Sequence, residues 1–274
     1  MKNLIGLFFG RALGIATFFA SLIFILFPYT TFADKIIIYT EDQPPLNFYL
    51  PDEDKMTGFA TDIVKEILLR IDSDAQIKRL PWARAYFYME RGDKDNMFLY
   101  GMARTKIREN KFKWVGPIAM KKAFLFAKKS SNIKINNLEE AKSFKYIGTK
   151  RKDSKEQYLK NKGFTNTDPS VTWDQALKKL MIGRIELIIF TDLDLPILAK
   201  RVGANTDEIE VVLELYKYPV YIGVSKATSD KMVQKWQNAL NSIKEDGTFE
   251  KKINEWSKFQ IGNTRTEYFK SNKN

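Results

Sequence analysis

The chain has 274 residues, with 45 lysines and arginines against 33 aspartates and glutamates, and neither histidine nor cysteine. Those two absences exclude His-ligated and thiolate-bound metals, Ser-His and Cys-His catalysis, disulfides and a lipid-bearing N-terminal cysteine. The net charge of +12 comes from scattered lysines and fits a solubilising basic surface. No zinc-knuckle, helix-turn-helix or RNA-recognition signature accompanies it, so nucleic acid is not an expected partner.

Lys2 and Arg11 precede an uncharged run, 12–27, that Pro28 breaks. Thr31-Phe32-Ala33 then places small residues before Asp34, the layout of a cleavable secretory signal over residues 1–33. An uncleaved anchor is the alternative, because 12–33 is just long enough to span a bilayer. Export is expected to remove residues 1–33. Intact mass of the periplasmic protein then gives a chain starting at Asp34, whereas a full-length chain in the membrane fraction would show the anchor.

Past that point, strand and helix patterns alternate. The β-branched run 35–40 predicts a buried strand, ended by Asp42-Gln43-Pro44-Pro45. Gly58 opens a helix with Phe59, Ile63, Ile67 and Ile71 along one face. Strands follow at 77–80, 97–102 and 123–127. A second set starts near 130, with a strand at 146–149 and a helix from Ser154. Next come a T-x-x-Q capping box at Thr172–Gln175 opening a helix that Gly183 stops, and a buried strand at 187–190. Helices at 232–243 and 249–256 close the folded part, and a polar tail begins near Gly262. The repeated βαβ order predicts an α/β protein with two lobes and mainly parallel sheets.

Four segments carry a resemblance to a known family. They are Tyr39-Thr40-Glu41-Asp42-Gln43-Pro44-Pro45-Leu46-Asn47-Phe48; Gly58-Phe59-Ala60-Thr61-Asp62-Ile63; Gly101-Met102-Ala103-Arg104-Thr105-Lys106-Ile107-Arg108; and Asp246-Gly247-Thr248-Phe249 followed by Trp256. In this order they resemble the bacterial extracellular solute-binding proteins of family 3, the polar amino-acid group, over about residues 35–260. Pro81-Trp82-Ala83-Arg84, and Arg104-Thr105-Lys106-Ile107-Arg108-Glu109 followed by Phe112-Lys113-Trp114-Val115-Gly116-Pro117, resemble a branch whose ligands are unassigned. The resemblance implies a two-lobed periplasmic-binding-protein fold with two crossover strands and a ligand cleft between the lobes. It places lobe 1 at 34–124 plus 219–260, lobe 2 at 125–218 and a flexible tail at 261–274.

In the family, the arginine matching Arg108 grips a ligand carboxylate, which suits a permanently charged, forked guanidinium; a surface arginine is the alternative. Gly101 and Thr105 set the spacing of that element. Thr105 either donates its hydroxyl to the same anion or caps a helix. Glu41 and Asp42 stand where the family often has an acidic residue, and either could meet a ligand ammonium or serve the turn before Pro44. Phe48 and Trp82 are candidates to flank the ligand, and Arg84 adds positive charge. In the second set, Thr149–Ser154 joins a strand to a helix N-terminus suited to an anion, with Arg151 as the expected contact. The family's second-lobe aspartate, which holds an α-ammonium, aligns with Thr191, one residue before Asp192, and Asp192 is the candidate substitute. This departure weakens the expectation of a standard α-amino group.

The expected function is capture, without chemistry, of a small anionic or zwitterionic, amino-acid-like solute for an inner-membrane ABC permease, by a periplasmic monomer with no cofactor or metal. Two alternatives remain open. One is an enzyme on the same fold, such as a periplasmic cyclic-acid dehydratase with Glu41, Asp42 or Asp192 as general acid. The other is a ligand-sensing partner of a membrane receptor.

Overall fold

The computed structural model describes residues 35–191 and 193–257. The expected signal segment, Asp192 and the expected tail lie outside the described residues. The elements in chain order are β1 (Ile37–Thr40), the hairpin β2 (Phe48–Leu50) and β3 (Lys55–Thr57), α1 (Phe59–Arg70), β4 (Ile77–Arg79), α2 (Trp82–Arg91), β5 (Met97–Ala103), α3 (Lys106–Glu109) and β6 (Lys113–Lys128). Then follow β7 (Ile147–Lys150), α4 (Ser154–Asn161), β8 (Thr167–Ser170), α5 (Trp173–Met181), β9 (Leu187–Phe190), α6 (Leu195–Val202), β10 (Ile209–Val224), α7 (Asp230–Glu245) and α8 (Thr248–Ser257).

One eight-stranded sheet runs in the order β4-β1-β5-β10-β6-β9-β7-β8. Its two ends are parallel triplets, β4-β1-β5 and β9-β7-β8. The outer triplets have the parallel pairing expected, and the middle of the sheet departs from it. The 16-residue strands β6 and β10 lie antiparallel to each other and to their outer neighbours. The reason is connectivity: β6 carries the chain out of the first triplet's half and β10 brings it back, so the two must run in opposite directions. The expected strand at 123–127 is therefore only the far end of a longer one. β10 shows no clean apolar alternation, because Glu210, Glu214 and Lys217 interrupt it.

Side-chain alternation fills both faces of the sheet. On β5, Phe98 and Tyr100 enter a core with α1, α7 and α8, while Met97, Leu99 and Met102 enter another beneath α2. Phe98 stacks on Trp236 of α7 with ring centres 3.9 Å apart. On β6, Phe124 and Phe126 face α5 and α6, while Leu125 and Ala127 face Leu159 of α4. The capping box of α5 is formed: Thr172 accepts from the Gln175 backbone and Gln175 returns to the Thr172 backbone.

The loop after β1 is pinned onto the start of α1. The amides of Phe59 and Ala60 donate to the carbonyls of Pro45 and Leu46 at 3.2 and 2.8 Å, satisfying first-turn donors that a helix leaves free. Gly58 permits this approach. It has φ +114°, and a Cβ there would sit 2.4 Å from the Leu46 carbonyl oxygen. Gly58→Ala is therefore expected to destabilise the fold by more than ~1 kcal/mol, visible as a melting temperature lower by at least ~2 °C.

Candidate functional site

The parallel strands of both triplets end at one place, the carboxyl edge where open α/β sheets take their ligands. Glu41 follows β1, the turn carrying Arg108 follows β5, Lys150 ends β7, and Asp194 follows β9. The through-strands β6 and β10 add Lys121 and Tyr218, which are direct register partners. Arg108, Lys121, Lys150 and Lys155 are all buried there with Glu41, Asp153 and Asp194.

Three of the four cations have carboxylate partners. Lys150 pairs with Glu41, joining the second triplet to the first. Lys155 pairs with Asp153 at 3.0 Å and lies 3.5 Å from the Tyr218 hydroxyl. Lys121 pairs with Asp194 at 3.2 Å, and Gln43 donates to the same carboxylate at 2.7 Å. Arg108, 1% exposed, is different. Its guanidinium donates to the carbonyls of Ala103 (3.3 Å) and Lys152 (3.1 Å) and to the Gln157 amide oxygen (3.1 Å). Among the described residues it has no carboxylate partner. It lies over the rings of Tyr86 and Trp82, 4.9 and 5.3 Å from their centres, a favourable seat for a desolvated cation.

Trp82 touches both sides of the site. Its indole N–H donates to the Lys152 carbonyl at 2.9 Å, and its ring lies 5.6 Å from the Lys150 ammonium. The Lys152 carbonyl thus receives Arg108 and Trp82 together, and Lys152 itself holds a left-handed φ of +63°. Strain of this kind on a non-glycine residue persists where surrounding contacts enforce it.

Burial pushes the Arg108 and Lys121 cations toward lower pKa. It pushes the Glu41 carboxyl up, and the opposing pull of Lys150 does not cancel that. Burial also acts on Asp153, but Lys155, Lys150, a backbone N–H and Arg108 together hold its carboxyl well below the usual range. Around them the phenols of Tyr216 and Tyr218 are raised by burial, as is that of core residue Tyr100, to about 12. Unfolded tyrosine ionises near pH ~10. Above that pH the unfolded chain releases protons the native state still holds, so stability falls as pH rises. Phenolate absorbance is expected to appear in two stages, the later one coinciding with loss of circular dichroism.

The sequence-predicted residues separate clearly. Arg108, Glu41 and Trp82 come together, so the surface-arginine alternative for Arg108 is excluded. Thr105 begins α3, yet its hydroxyl makes no capping bond and is buried without a partner. Gly101 has φ +80°, and a Cβ on it would meet the Asn47 amide oxygen at 2.7 Å; it makes room for Asn47, which donates to the Glu41 carbonyl at 2.9 Å. Asp42 sits at the rim, pairing with Arg201 of α6 at 3.0 Å. Phe48 packs edge-on against Trp256, away from the cluster. Arg84 is exposed and donates to the Tyr88 hydroxyl at 3.1 Å. Arg151 is exposed, and its neighbour Lys150 turns inward instead.

The helix N-terminus expected to take an anion is capped by the protein's own Asp153, which accepts from the Lys155 amide at 2.9 Å. Sequence reasoning also passed over Lys121, Lys155, Asp194, Gln43 and Trp173. A signal existed for Lys121: it falls in phase with buried Ala119 and Ala123 on β6, where a lysine on a buried face is out of place.

Two α/β lobes sharing a pair of through-strands, with charged groups meeting between them, define a two-lobed binding protein. The model of the family "Bacterial extracellular solute-binding proteins, family 3" matches residues 36–259, and the chain belongs to that family. It is 23% identical over 233 residues to an arginine-binding periplasmic protein of Mannheimia haemolytica, covering 83% of this chain and 92% of that one. A Streptococcus pneumoniae ABC uptake transporter substrate-binding protein with bound histidine has a similar fold (TM-score 0.71, 18% identity, 85% of this chain and 96% of that one). So does a histidine kinase sensor domain (TM-score 0.72, 16% identity, 81% and 96%). The family and the fold class implied by the four sequence segments are thus the ones found. Among the described residues no helix is long and apolar enough to cross a membrane.

Proposed function

We propose that this chain is an exported periplasmic monomer that closes on a small anionic or zwitterionic solute and hands it unchanged to an inner-membrane ABC permease. The lobes are taken as 34–124 plus 219–260 and 125–218, with residues 1–33 removed on export. The observation that carries this reading is Arg108: a buried guanidinium at the meeting of the two lobes, bonded to neutral acceptors. A ligand carboxylate supplies the missing counter-charge, and such pairs are matched fork to fork. Protein from residue 34, stripped of ligand by unfolding and refolding, is expected to gain ~5–10 °C in melting temperature with one class among amino acids and small carboxylates. That range follows from ~2.7 kcal/mol of linkage at a hundredfold excess over Kd and ~2–4 °C per kcal/mol at this size. No shift with any of them, and no small molecule in native mass spectrometry of unstripped protein, would overturn the reading.

One observation favours an enzymatic alternative. Glu41 is a buried carboxyl whose pKa is raised, the state a general acid needs. Proton NMR of cyclic hydroxy acids incubated with the protein decides this: loss of a hydroxyl with formation of a ring double bond supports it, and unchanged spectra reject it.

A further inference from the structure

We infer that the solute is a carboxylate without an ammonium group, and that Lys121 occupies the place on Asp194 that a ligand ammonium would take. This rests on the solute-binding reading above and narrows it.

Among the described residues the charges in the cleft are unequal. Lys121, Lys150, Lys155 and Arg108 face Glu41, Asp153 and Asp194, and each carboxylate already has its own lysine. The remaining buried carboxylate among the described residues, Glu156, is engaged by solvent-facing Lys160 and by the Lys152 amide. One guanidinium is left over among the described residues. Asp194 is the most enclosed of the acids, at 0% exposure. Its two partners come from separate places, Gln43 after β1 and Lys121 on β6. Lys121 stands on a paired strand and not on a mobile loop, so its ammonium is a built part of the site.

A ligand ammonium would have to displace it. The evicted charge would remain buried, beside Lys155, with no free carboxylate among the described residues to receive it. A carboxylate ligand instead balances Arg108 and disturbs no pair. Unused donors point the same way. The indole N–H of Trp173 is buried without a partner, and its ring lies 4.9 Å from the Lys155 ammonium and 5.2 Å from that of Lys150. The Thr105 hydroxyl, three residues before Arg108, is also unpaired. Donors in surplus call for an acceptor-rich ligand.

The test uses matched probes that differ only in the α-amino group: glutarate and L-glutamate, 3-phenylpropionate and L-phenylalanine, butanoate and L-2-aminobutanoate, with L-arginine alongside. Titration calorimetry on ligand-stripped protein is expected to show the carboxylate of a bound pair at least tenfold tighter than its amino counterpart, with no heat from L-arginine. Lys121→Met frees Asp194 and is expected to bring the amino member up by tenfold or more. The double variant Lys121→Met/Asp194→Asn removes both charges, which guards against misfolding from a single unpaired carboxylate, and is expected to show none of the amino member's gain seen in Lys121→Met. An amino member that binds wild type more tightly, or one that gains as much in the double variant as in Lys121→Met, overturns the inference while leaving the solute-binding reading intact. Silence of every probe in wild type and both variants overturns the inference, and removes the solute-binding reading as well when native mass spectrometry of unstripped protein also shows no small molecule.

Discussion

Arg108→Ala is expected to lower affinity for the solute by roughly 30-fold or more. Removing one member of a desolvated, hydrogen-bonded charge pair typically costs about 2–5 kcal/mol, because the other charge stays buried and alone. In wild type the ligand carboxylate would be that other charge. The variant also loses the bonds from the guanidinium to the Lys152 carbonyl and Gln157. Those contacts join the segment after β5 to the turn before α4 and to α4 itself, so closure itself weakens. Arg108→Lys keeps a charge but cannot reach three acceptors in one plane, and is expected to recover only part of the loss. Calorimetric titration of the three proteins, with melting curves in the absence of ligand, separates the roles. Alanine binding within about threefold of wild type, below ~1 kcal/mol, would remove Arg108 from the site. A large drop in the unliganded melting temperature with little change in affinity would make it structural.

Lys150→Met is expected to be the most damaging single change to the charged cluster that leaves Arg108 in place. Glu41, 5% exposed, then keeps its burial and loses its counter-ion. Stranding a buried carboxylate costs about 3–5 kcal/mol. The pH dependence follows from the direction of the Glu41 shift. Burial already raises its pKa against the pull of Lys150, and without Lys150 it rises further. The folded, closed state then holds a proton that the unfolded state has lost. Stability is therefore fully present below the ordinary glutamate pKa, about 4.3, and is lost as pH rises through the raised value. The variant should approach wild-type melting in mild acid and fall away from it toward neutral pH. Lys150→Met/Glu41→Leu, which removes both charges and fills the space, is expected to recover most of the loss at all pH values. Equal melting of Lys150→Met and wild type at neutral pH would show that the pair contributes nothing.

Much of the molecule was legible before any coordinates. The strands at 35–40, 77–80, 97–102, 146–149 and 187–190, the Gly58 helix and the Thr172 capping box follow from local chemistry. Apolar alternation, a glycine at a position only glycine tolerates and a side chain that satisfies a free amide each act within a few residues. The same locality explains the omissions. α2 begins at Trp82 behind Pro81, with exposed Phe87 obscuring its apolar face. β8 reads Thr-Asp-Pro-Ser and has the composition of a turn. It is a strand because β7 lies beside it, from Ile147 against Thr167 to Lys150 against Ser170.

The sequence alone determined the family resemblance, the two-lobed α/β class and the choice of Arg108, Glu41 and Trp82 as candidates, which the fold brings together. Each of these stands in a short motif or beside a strand end whose character local residues set. Only the tertiary structure decided which cations are paired. Glu41 meets Lys150 across 109 positions, Gln43 meets Asp194 across 151, and Lys121 meets Asp194 across 73. Whether a lysine is a solvated surface charge or a buried counter-ion depends on what the other lobe brings against it. A single lysine in the sequence has no means of showing that, because the same side chain, with the same ordinary pKa, suits either place until burial removes its water and leaves one carboxylate within reach.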